Sequence, residues 1–419
     1  MLANMRSPCD NAGMNKKIID GLMTLFDRPN ELRIVRNLLL TADQSRPELA
    51  CQLGLSLSST TGIVDGLIKK GYVIETGLKK MDSGRSSTTL DVVKSRFVSI
   101  GIGISKYRIS VEAIDLEGKP VFVAYDDLDK SGWEPNFSRI KNHVAEFLRE
   151  SQGRDYHVLG IGIARPGFVQ FEKRDLPFVP EMFEWDDEKV QATFQHAFNY
   201  GVEISSTSTA ALSGEVYFGC GKGYESSLLV NISTTDISVA MIRNNIIDRR
   251  MDSNSKVFGR RIIGTTIEAD ASIHECTLNR YVCKSSIEKY YAQLMGNDDE
   301  IGYSTICEQS LIGNHLAVQA ISKAASLAGL AISDLICSLF PDNCIISGSI
   351  IDDSTIYRDI TIAVARNRVQ SISNHPLVFS LTKLKGNSTM EAEVATNFSL
   401  GKGSATLVFE NFYLERGRI

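Results

Sequence analysis

Residues 45–71 read SRPELACQLGLSLSSTTGIVDGLIKKG and hold the pattern that decides the fold of the first part of the chain. Ser45 is followed by a proline in the first helical turn and by a glutamate three residues on, which is the arrangement of a capping box. Gly54 then supplies a tight turn, and Ser56 is the next candidate N-cap. The stretch therefore predicts a short helix before Gly54 and a longer helix after Ser56 that ends at Gly71.

Apolar residues recur at helical spacing on both sides of this turn. Upstream, the segment ELRIVRNLLL from Glu31 forms one apolar stripe, so a first helix precedes the pair. In the longer helix the inward positions are Ile63, Val64, Leu67 and Ile68. A helix, a short helix, a glycine turn and a longer helix in this order predict a helix-turn-helix.

Two β-prone runs, YVIET and SSTTLDV, follow the longer helix and flank a segment rich in Lys, Gly, Asp and Ser, which we interpret as a wing. The longer helix begins with small hydroxyl side chains that reach phosphates or base edges in a major groove. Basic residues of the wing supply charge for the DNA backbone. The predicted DNA-binding residues are Ser58, Ser59, Thr60, Thr61, Lys79, Lys80 and Arg85. Three-helix units of this kind also serve as dimerisation or scaffolding modules.

The composition of the 419-residue chain is that of an ordinary globular protein. Hydrophobic residues make up 43% and charged residues 23%, which excludes the collagen, coiled-coil and disordered classes. The eight cysteines are scattered, and residues 1–30 lack the continuous apolar segment of a signal peptide. The longest apolar stretch, residues 327–340, is too short to cross a bilayer. We therefore expect a cytoplasmic protein with no membrane insertion.

Charge is distributed unevenly along the chain. The net charge is −5, yet residues 1–92 hold 12 Lys and Arg against 10 Asp and Glu, so the acidic excess lies in the remainder. If the protein binds DNA, its N-terminal part binds it.

From Arg96 onward the pattern changes to FVSIGIGISKYRISVEAIDLEGKPVFVAY, which predicts three strands joined by short turns. Helices are expected at residues 137–151 and 188–200, with a buried strand between them. A second copy begins at Ser226 with two strands, followed by a long helix over residues 315–340 and the strand CIISGSI. Two such halves predict two α/β lobes, and the cleft between them is a candidate ligand site.

This order of elements, together with ARPGFV, STAALSGE, SLAGLAISDLICSLFPDNCIISGSI and KGNSTMEAEV, resembles the ROK family (repressor, open reading frame, kinase) along nearly the whole chain. The resemblance implies an actin-like ATPase fold. Sugar kinases of the family lack the N-terminal domain, whereas its repressors of N-acetylglucosamine and xylose genes carry a winged helix. The architecture looks like the repressor branch.

We therefore expect an α/β protein with an N-terminal winged helix-turn-helix followed by a two-lobed, sugar-kinase-like fold. The predicted domains are the winged helix-turn-helix at residues 1–92, lobe 1 at 96–206, lobe 2 at 207–395 and a C-terminal extension at 396–419. The extension contains a β-prone, aromatic run, which is expected to cover an exposed edge or to contact a partner.

The motifs that bind phosphate in the family's kinases are depleted here. Where those kinases have Asp-x-Gly-Gly-Thr, residues 103–107 read GISKY, and their Gly-Thr-Gly-x-Gly turn corresponds to STTDI at residues 233–237. Glycine lets backbone N–H groups approach phosphate, and an aspartate repels it. The family's catalytic base matches Thr207, which cannot act as a base at neutral pH. The resemblance therefore implies no kinase activity.

The sugar-binding positions of the family are changed as well. Short hydroxyls replace several amide, carboxylate and histidine side chains, which leaves fewer hydrogen bonds for a sugar. Either the effector differs or there is none, and packing or surface roles are the plain alternative. The candidate effector residues are Glu181, Trp185, Ser206, Thr207 and Thr266.

Relatives carry a structural zinc in Cys-x-Cys-Gly-x-x-Gly-Cys, with a histidine as the fourth ligand. Cys276 and Cys283 match two of these thiolates, Leu278 and Thr266 cannot bind zinc, and His274 is the nearest substitute. Structural zinc takes four protein ligands. We therefore expect His274, Cys276 and Cys283 to be a remnant, with no zinc and no other cofactor.

The motifs and the resemblance together predict a sequence-specific, DNA-binding transcriptional regulator, a repressor of carbohydrate-related genes. Its expected partners are double-stranded DNA and a sugar-like effector or regulatory protein. We expect a homodimer or higher homo-oligomer, because two-fold operators need a symmetric protein. Two alternatives stay open: degenerate lobes that act as a protein-interaction module, and a sugar kinase with an appended domain.

Overall fold

The structure is a computed structural model that describes most of the chain. The described residues are 26, 28–41, 43–80, 86–105, 108–129, 131–165, 186–244, 246–267, 273–296, 301–374, 376–382 and 400–409. Within these ranges, the side chains of residues 40, 80, 265–267 and 273–275 are left undescribed.

The N-terminal domain is a helix-turn-helix with a wing, as the sequence predicts. Glu48 Oε2 accepts the Ser45 backbone N–H at 2.8 Å, which completes the capping box. Gly54 ends the second helix in the left-handed region, at φ 64°. Strands β2 and β3 pair antiparallel and form the wing, β1 extends their sheet, and α3 is the recognition helix. The elements are α1 (Pro29–Leu40), β1 (Gln44–Ser45), α2 (Arg46–Leu53), α3 (Leu57–Lys69), β2 (Val73–Lys80) and β3 (Ser86–Val92).

Lobe 1 is built on a five-stranded sheet with the strand order β6-β5-β4-β7-β8. The first three strands form an antiparallel meander, and β7 and β8 run parallel to β4. Strand β4 is buried along its whole length because it is central and both of its faces are covered. The elements are β4 (Phe97–Ile104), β5 (Arg108–Asp115), β6 (Pro120–Asp127), α4 (Trp133–Glu150), β7 (His157–Arg165), α5 (Asp187–Phe198), β8 (Val202–Ser206) and α6 (Thr207–Phe218).

Lobe 2 repeats this plan with the strand order β11-β10-β9-β14-β15, and the hairpin β12–β13 forms a separate two-stranded sheet. Strand β14 runs parallel to β9 and β15, and α11 packs against α13. The strands are β9 (Ser226–Ile232), β10 (Ile237–Arg243), β11 (Ile246–Ile247), β12 (Ile262–Ile267), β13 (Ile273–Thr277), β14 (Asn343–Ser347) and β15 (Val378–Leu381). The helices are α7 (Arg249–Ser253), α8 (Asn279–Val282), α9 (Lys284–Met295), α10 (Tyr303–Leu311), α11 (His315–Leu339), α12 (Ser349–Asp353) and α13 (Thr355–Ile372).

Helix α11 is the core helix of lobe 2. Among the described helices it alone is long and apolar enough, by length and composition, to cross a bilayer. The helix begins at His315, so it is longer than the apolar stretch at residues 327–340. Ile321, Ala325 and Ile332 are fully buried in the core cluster of this lobe. Burial of this face against protein accounts for the apolar composition of the helix.

The described part of the C-terminal extension, residues 400–409, begins with helix α14 (Leu400–Thr406) and contains no strand, whereas the predicted β-prone, aromatic run lies mostly after it, outside the described residues. This helix packs on the sheet of lobe 1 and on α6. The sheet has room for it because β4 lacks side chains there: a Cβ at Gly101 would lie 1.8 Å from the Gly401 carbonyl oxygen. Close packing over glycine therefore lets α14 cover this part of the lobe 1 sheet.

The winged helix and lobe 1 share one hydrophobic cluster. Tyr72, which follows α3, packs edge-on against the ring of His157 at 4.6 Å and lies 5.5 Å from the ring of Phe97. Phe26 covers the other side of Tyr72 at 5.6 Å. This aromatic joint connects the recognition helix to β4, which begins at Phe97, and to β7, which begins at His157.

Candidate nucleic-acid interface and interlobe cleft

The recognition helix α3 presents its first turn and one side to solvent. The backbone N–H of Ser59 donates to Ser56 Oγ at 3.1 Å, so the helix begins at the predicted N-cap. The N-terminal end of such a helix carries partial positive charge, which suits a phosphate or a base edge. The exposed residues of α3 are Leu57, Ser58, Ser59, Gly62, Asp65 and Lys69.

Thr60 does not belong to this surface, and the prediction that it reaches a groove is wrong. Its side chain is fully buried. Thr60 precedes Val64 by four residues and Leu67 by seven, so all three lie on the same, inward face of the helix. The helical spacing in the sequence already contained this signal.

Two of the other predicted hydroxyls bond within the helix. Ser59 Oγ lies 2.9 Å from Ser56 Oγ, and Thr61 Oγ1 donates to the Leu57 carbonyl oxygen at 2.8 Å. Ser58 is exposed, and its hydroxyl has no hydrogen-bond partner within the described ranges. Ser58 is therefore the hydroxyl of this turn that is most available to DNA.

Arg46, which the sequence reasoning missed, links the recognition helix to the wing. Its guanidinium lies 2.8 Å from Asp65 on α3 and 2.8 Å from Glu75 on β2. Asp65 and Glu75 follow Arg46 by 19 and 29 positions in the chain. No local sequence pattern could therefore reveal these contacts. Arg46 offsets part of the negative charge that Asp65 and Glu75 bring to this surface.

The described wing residue Lys79 is paired inside the domain. Its Nζ lies 3.0 Å from Glu48 Oε1. The pKa of Glu48 lies below its usual value, because its carboxylate accepts the Ser45 backbone N–H and lies beside the Lys79 ammonium. A phosphate would compete with the Glu48 carboxylate for the Lys79 ammonium. The predicted Arg85 and the Lys80 side chain lie outside the described parts of the structure.

Two candidate effector residues, Ser206 and Thr207, lie where β8 ends and α6 begins. Ser206 is fully buried and caps α6, since its Oγ accepts the Thr209 backbone N–H at 3.2 Å. The backbone N–H of Ser206 donates to Asp252 Oδ1 at 2.8 Å. Ser206 is thus occupied by structural contacts, and the prediction of an effector contact from its side chain is wrong. Thr207 is half-buried at the first position of α6.

Helix α7 of lobe 2 bridges to lobe 1 through two side chains that the sequence reasoning missed. Arg249 donates to Ser205 Oγ at 3.2 Å and lies 3.4 Å from the Glu203 carboxylate. Asp252 is 6% exposed and accepts the Ser206 N–H. The bridge places a carboxylate at the N-terminus of α6, where it satisfies the positive end of that helix.

The turn at residues 233–237, which matches the phosphate turn of the family's kinases, bonds to itself. The Ser233 N–H donates to the Asp236 carbonyl oxygen at 2.9 Å, and the Asp236 N–H donates to Ser233 Oγ at 3.3 Å. The Ile237 N–H donates to Asn279 Oδ1 at 3.1 Å. The Asp236 carboxylate lies 2.7 Å from Lys256 Nζ. Three backbone donors of this turn are therefore engaged without a phosphate.

The cysteines of the predicted zinc remnant have separate surroundings. Cys283 is fully buried in the core of lobe 2, and burial raises the pKa of its thiol well above the usual value. A hydrogen bond with Cys276 raises the pKa of Tyr281. Within the residues that the structure describes, no group of three His, Cys, Asp or Glu side chains could hold a metal.

The side chains of four further predicted residues lie outside the described part of the structure. Glu181 and Trp185 lie outside the described residues. Thr266 on β12 is the register partner of His274 on β13, and neither side chain is described.

Comparisons with known proteins agree with this architecture. A family model described as "ROK family" matches residues 99–392. The xylose repressor of Bacillus spizizenii is 23% identical over 402 residues, which cover 93% of this chain and 97% of that protein. The crystal structure of a ROK family transcriptional regulator, a homologue of the E. coli MLC protein, superimposes with a TM-score of 0.71 at 17% identity, covering 95% of this chain and 98% of that one.

A solved kinase covers less of the chain. The ROK hexokinase from Thermus thermophilus superimposes with a TM-score of 0.59 at 17% identity, covering 74% of this chain and 98% of its own. The regulator structure thus extends over a larger part of this chain than the kinase structure does.

Proposed function

Because the chain belongs to the ROK family, we propose that it is a sequence-specific, DNA-binding transcriptional regulator, a repressor of carbohydrate-related genes without kinase activity. The observation that carries this function is the recognition helix, whose capped first turn stands exposed beside a wing. The B. spizizenii protein, which matches over almost the same length, is a xylose repressor. The proposal that the regulated genes are carbohydrate-related rests on that relative.

In this function, α3 enters the major groove of double-stranded DNA while the wing contacts the backbone. Ser58 lies at the base edges, and Lys79, Lys80 and Arg85 approach phosphates. The protein acts as a homodimer or higher homo-oligomer on a two-fold site, because two half-sites require two copies of the domain. Its compartment is the cytoplasm, where it meets chromosomal DNA.

Three features argue against phosphoryl transfer. Three backbone donors of the turn at residues 233–237 are engaged within the protein, so these N–H groups are not presented to a phosphate. Thr207 occupies the position of the catalytic base and cannot accept a proton at neutral pH. Asp252 already caps the end of α6 that faces the cleft. Purified protein should consume no ATP with any common aldose, and Thr207→Asp alone should not restore turnover.

No zinc is needed for this function. Cys283 packs as an apolar core residue, and the fully buried Leu278, which stands where relatives carry a thiolate, cannot bind zinc. Zinc at about one equivalent per chain in purified protein would contradict this part of the proposal.

The regulator responds through its lobes to a small effector or to a regulatory protein. Ser206 is occupied by structural contacts, so a sugar-like effector would contact Thr207 and the neighbouring cleft. A lobe pair that binds only a protein is the remaining alternative. Thermal shifts with a sugar panel separate the two, because a ligand that binds the folded state raises the melting temperature.

Capture of fragmented genomic DNA at physiological salt, followed by sequencing, tests the function. The informative variant is Ser58→Glu, because a carboxylate in the first turn stabilises a helix yet repels phosphate. Its control, Thr355→Glu, places the same charge in the first turn of α13, in lobe 2. Enrichment of a few two-fold sites that Ser58→Glu abolishes and Thr355→Glu preserves supports the function. Equal capture by both variants, or no enrichment by the parent protein, would overturn it.

A further inference from the structure

We propose that Leu57 determines part of the sequence specificity by packing against the 5-methyl group of a thymine in the major groove, an inference that rests on the DNA-binding function proposed above. Leu57 is the first residue of α3, directly after the Ser56 cap. In helix-turn-helix proteins, the N-terminal residues of the recognition helix contact base edges.

Leu57 stands apart from the other aliphatic residues of its helix. Leu57 is 53% exposed, whereas Val64 and Leu67 are fully buried in the core of the domain. It lies three residues before Thr60, the first buried residue of the helix. An exposed leucine on a surface otherwise made of small or charged residues is available for contact with a partner.

The neighbouring side chains leave few other ways to read a base. Ser59 and Thr61 use their hydroxyls within the helix, and Thr60 is buried. Asp65 is paired with Arg46. Ser58 can hydrogen-bond to several bases and therefore discriminates weakly.

The helix is also shaped for a close approach. Gly62 is exposed one turn after Ser58, and an added Cβ there would have no atom within 4 Å. Position 62 therefore adds no side chain between Ser58 and Asp65 on this exposed face, so the backbone there can approach the base edges. A leucine at the first position then reaches the methyl group that marks thymine in the major groove.

The expected effect of this contact is modest and measurable. Burial of one methyl group is worth about 0.8 kcal/mol, which corresponds to about fourfold in Kd for each half-site. A protein that contacts two half-sites should lose the product of the two factors when both methyl groups are removed.

The test replaces thymines with deoxyuridine, which removes only the methyl group. Full-length protein first selects its tightest duplex from a random pool, and each thymine of that duplex is then replaced in turn. We expect one position per half-site at which deoxyuridine weakens binding about fourfold. Leu57→Ala should bind the thymine and deoxyuridine duplexes equally at that position.

Two further variants make the assignment specific. Leu78→Ala removes a wing leucine that is 76% exposed and should leave the thymine-to-deoxyuridine ratio at its parental value. Leu57→Gln should abolish the methyl effect and favour adenine at the contacted position, because glutamine pairs bidentately with adenine.

The outcomes separate the two proposals. Specific binding with no methyl-sensitive position, or a methyl effect that persists in Leu57→Ala, would overturn the role of Leu57 and leave the regulator function standing. Equal weakening of both duplexes by Leu57→Ala with an unchanged ratio would make Leu57 a protein contact instead. If no duplex is selected above background, the DNA-binding function fails and this assignment fails with it.

Discussion

Arg96 donates a hydrogen bond from Nη1 to the backbone carbonyl oxygen of Lys70 at 2.9 Å. Lys70 caps the C-terminal end of the recognition helix, whereas Arg96 immediately precedes the first strand of lobe 1. The same guanidinium pairs with Asp155 at 2.7 Å, just before β7. The position of the recognition helix is therefore coupled directly to two central strands of the lobe.

Gly71→Ala should break this coupling. Gly71 has a φ of +72°, and a Cβ there would lie 2.2 Å from Arg96 Nη1. Strain in the left-handed region and displacement of Arg96 should together lower the free energy of unfolding by about 1–3 kcal/mol. Gly66→Ala is the control. An added Cβ at Gly66, inside α3, would have no atom within 4 Å, so this variant should raise the free energy of unfolding by about 1 kcal/mol. Urea denaturation followed by circular dichroism measures both. Equal stability of the two variants would show that Arg96 does not restrain the helix.

The aromatic joint should make stability depend on pH. Burial, followed by the nearby Arg96 charge, lowers the pKa of His157 below its usual 6.5. The folded state therefore binds the proton less readily than the unfolded chain. The His157 contribution is complete above about pH 6.5 and is progressively lost as the pH falls towards the lowered folded-state pKa. Melting temperatures between pH 7.5 and 5.5 should fall less steeply for His157→Phe than for the parent protein. Parallel curves would exclude His157 as a source of the dependence.

The sequence predicts the winged helix well because its signals are local. Ser45, Gly54 and Ser56 fix helix ends through contacts within three or four residues, and the structure confirms each of these positions. The α/β lobes follow in the same way from alternating strands and turns. Thr60 is a different case, since its spacing to Val64 already placed it on the buried face.

Contacts between distant residues are beyond the reach of such patterns. The Asp252–Ser206 contact spans 46 residues, and α14 packs on β4 from the opposite end of the chain. The position of α14 depends on the space over Gly101, which only the assembled sheet provides. The contacts of α7 with the end of β8 could not be predicted for the same reason.

Asp252→Ala should loosen the bridge between the lobes. The substitution leaves the buried Ser206 N–H without its acceptor, which costs about 1–3 kcal/mol. Asp334→Ala removes an exposed aspartate from α11 and should change stability by no more than about 0.5 kcal/mol. Thermal denaturation of both variants at pH 7 measures the difference. Similar melting temperatures for the two variants would mean that the Asp252–Ser206 contact does not stabilise the protein.

Glu48→Gln should strengthen DNA binding, although it removes a salt bridge. Glu48 holds Lys79 at 3.0 Å, and DNA phosphates must compete with this carboxylate for the ammonium. Glutamine keeps an oxygen that accepts the Ser45 N–H, so the capping box and α2 persist. An exposed pair of this kind is worth about 0.2–1 kcal/mol, so affinity for a random duplex should rise by up to about fivefold.

Fluorescence anisotropy between 50 and 200 mM salt tests this competition, with Lys79→Ala as the opposing variant. Lys79→Ala should weaken binding to every sequence and reduce the slope of log K against log salt by about one, because one phosphate contact is lost. In the double variant, Glu48→Gln should no longer help, since its effect acts through Lys79. A gain that persists without Lys79 would mean that the Glu48 carboxylate repels the DNA directly. Unchanged slopes in both single variants would place the phosphate contacts of the wing on other residues.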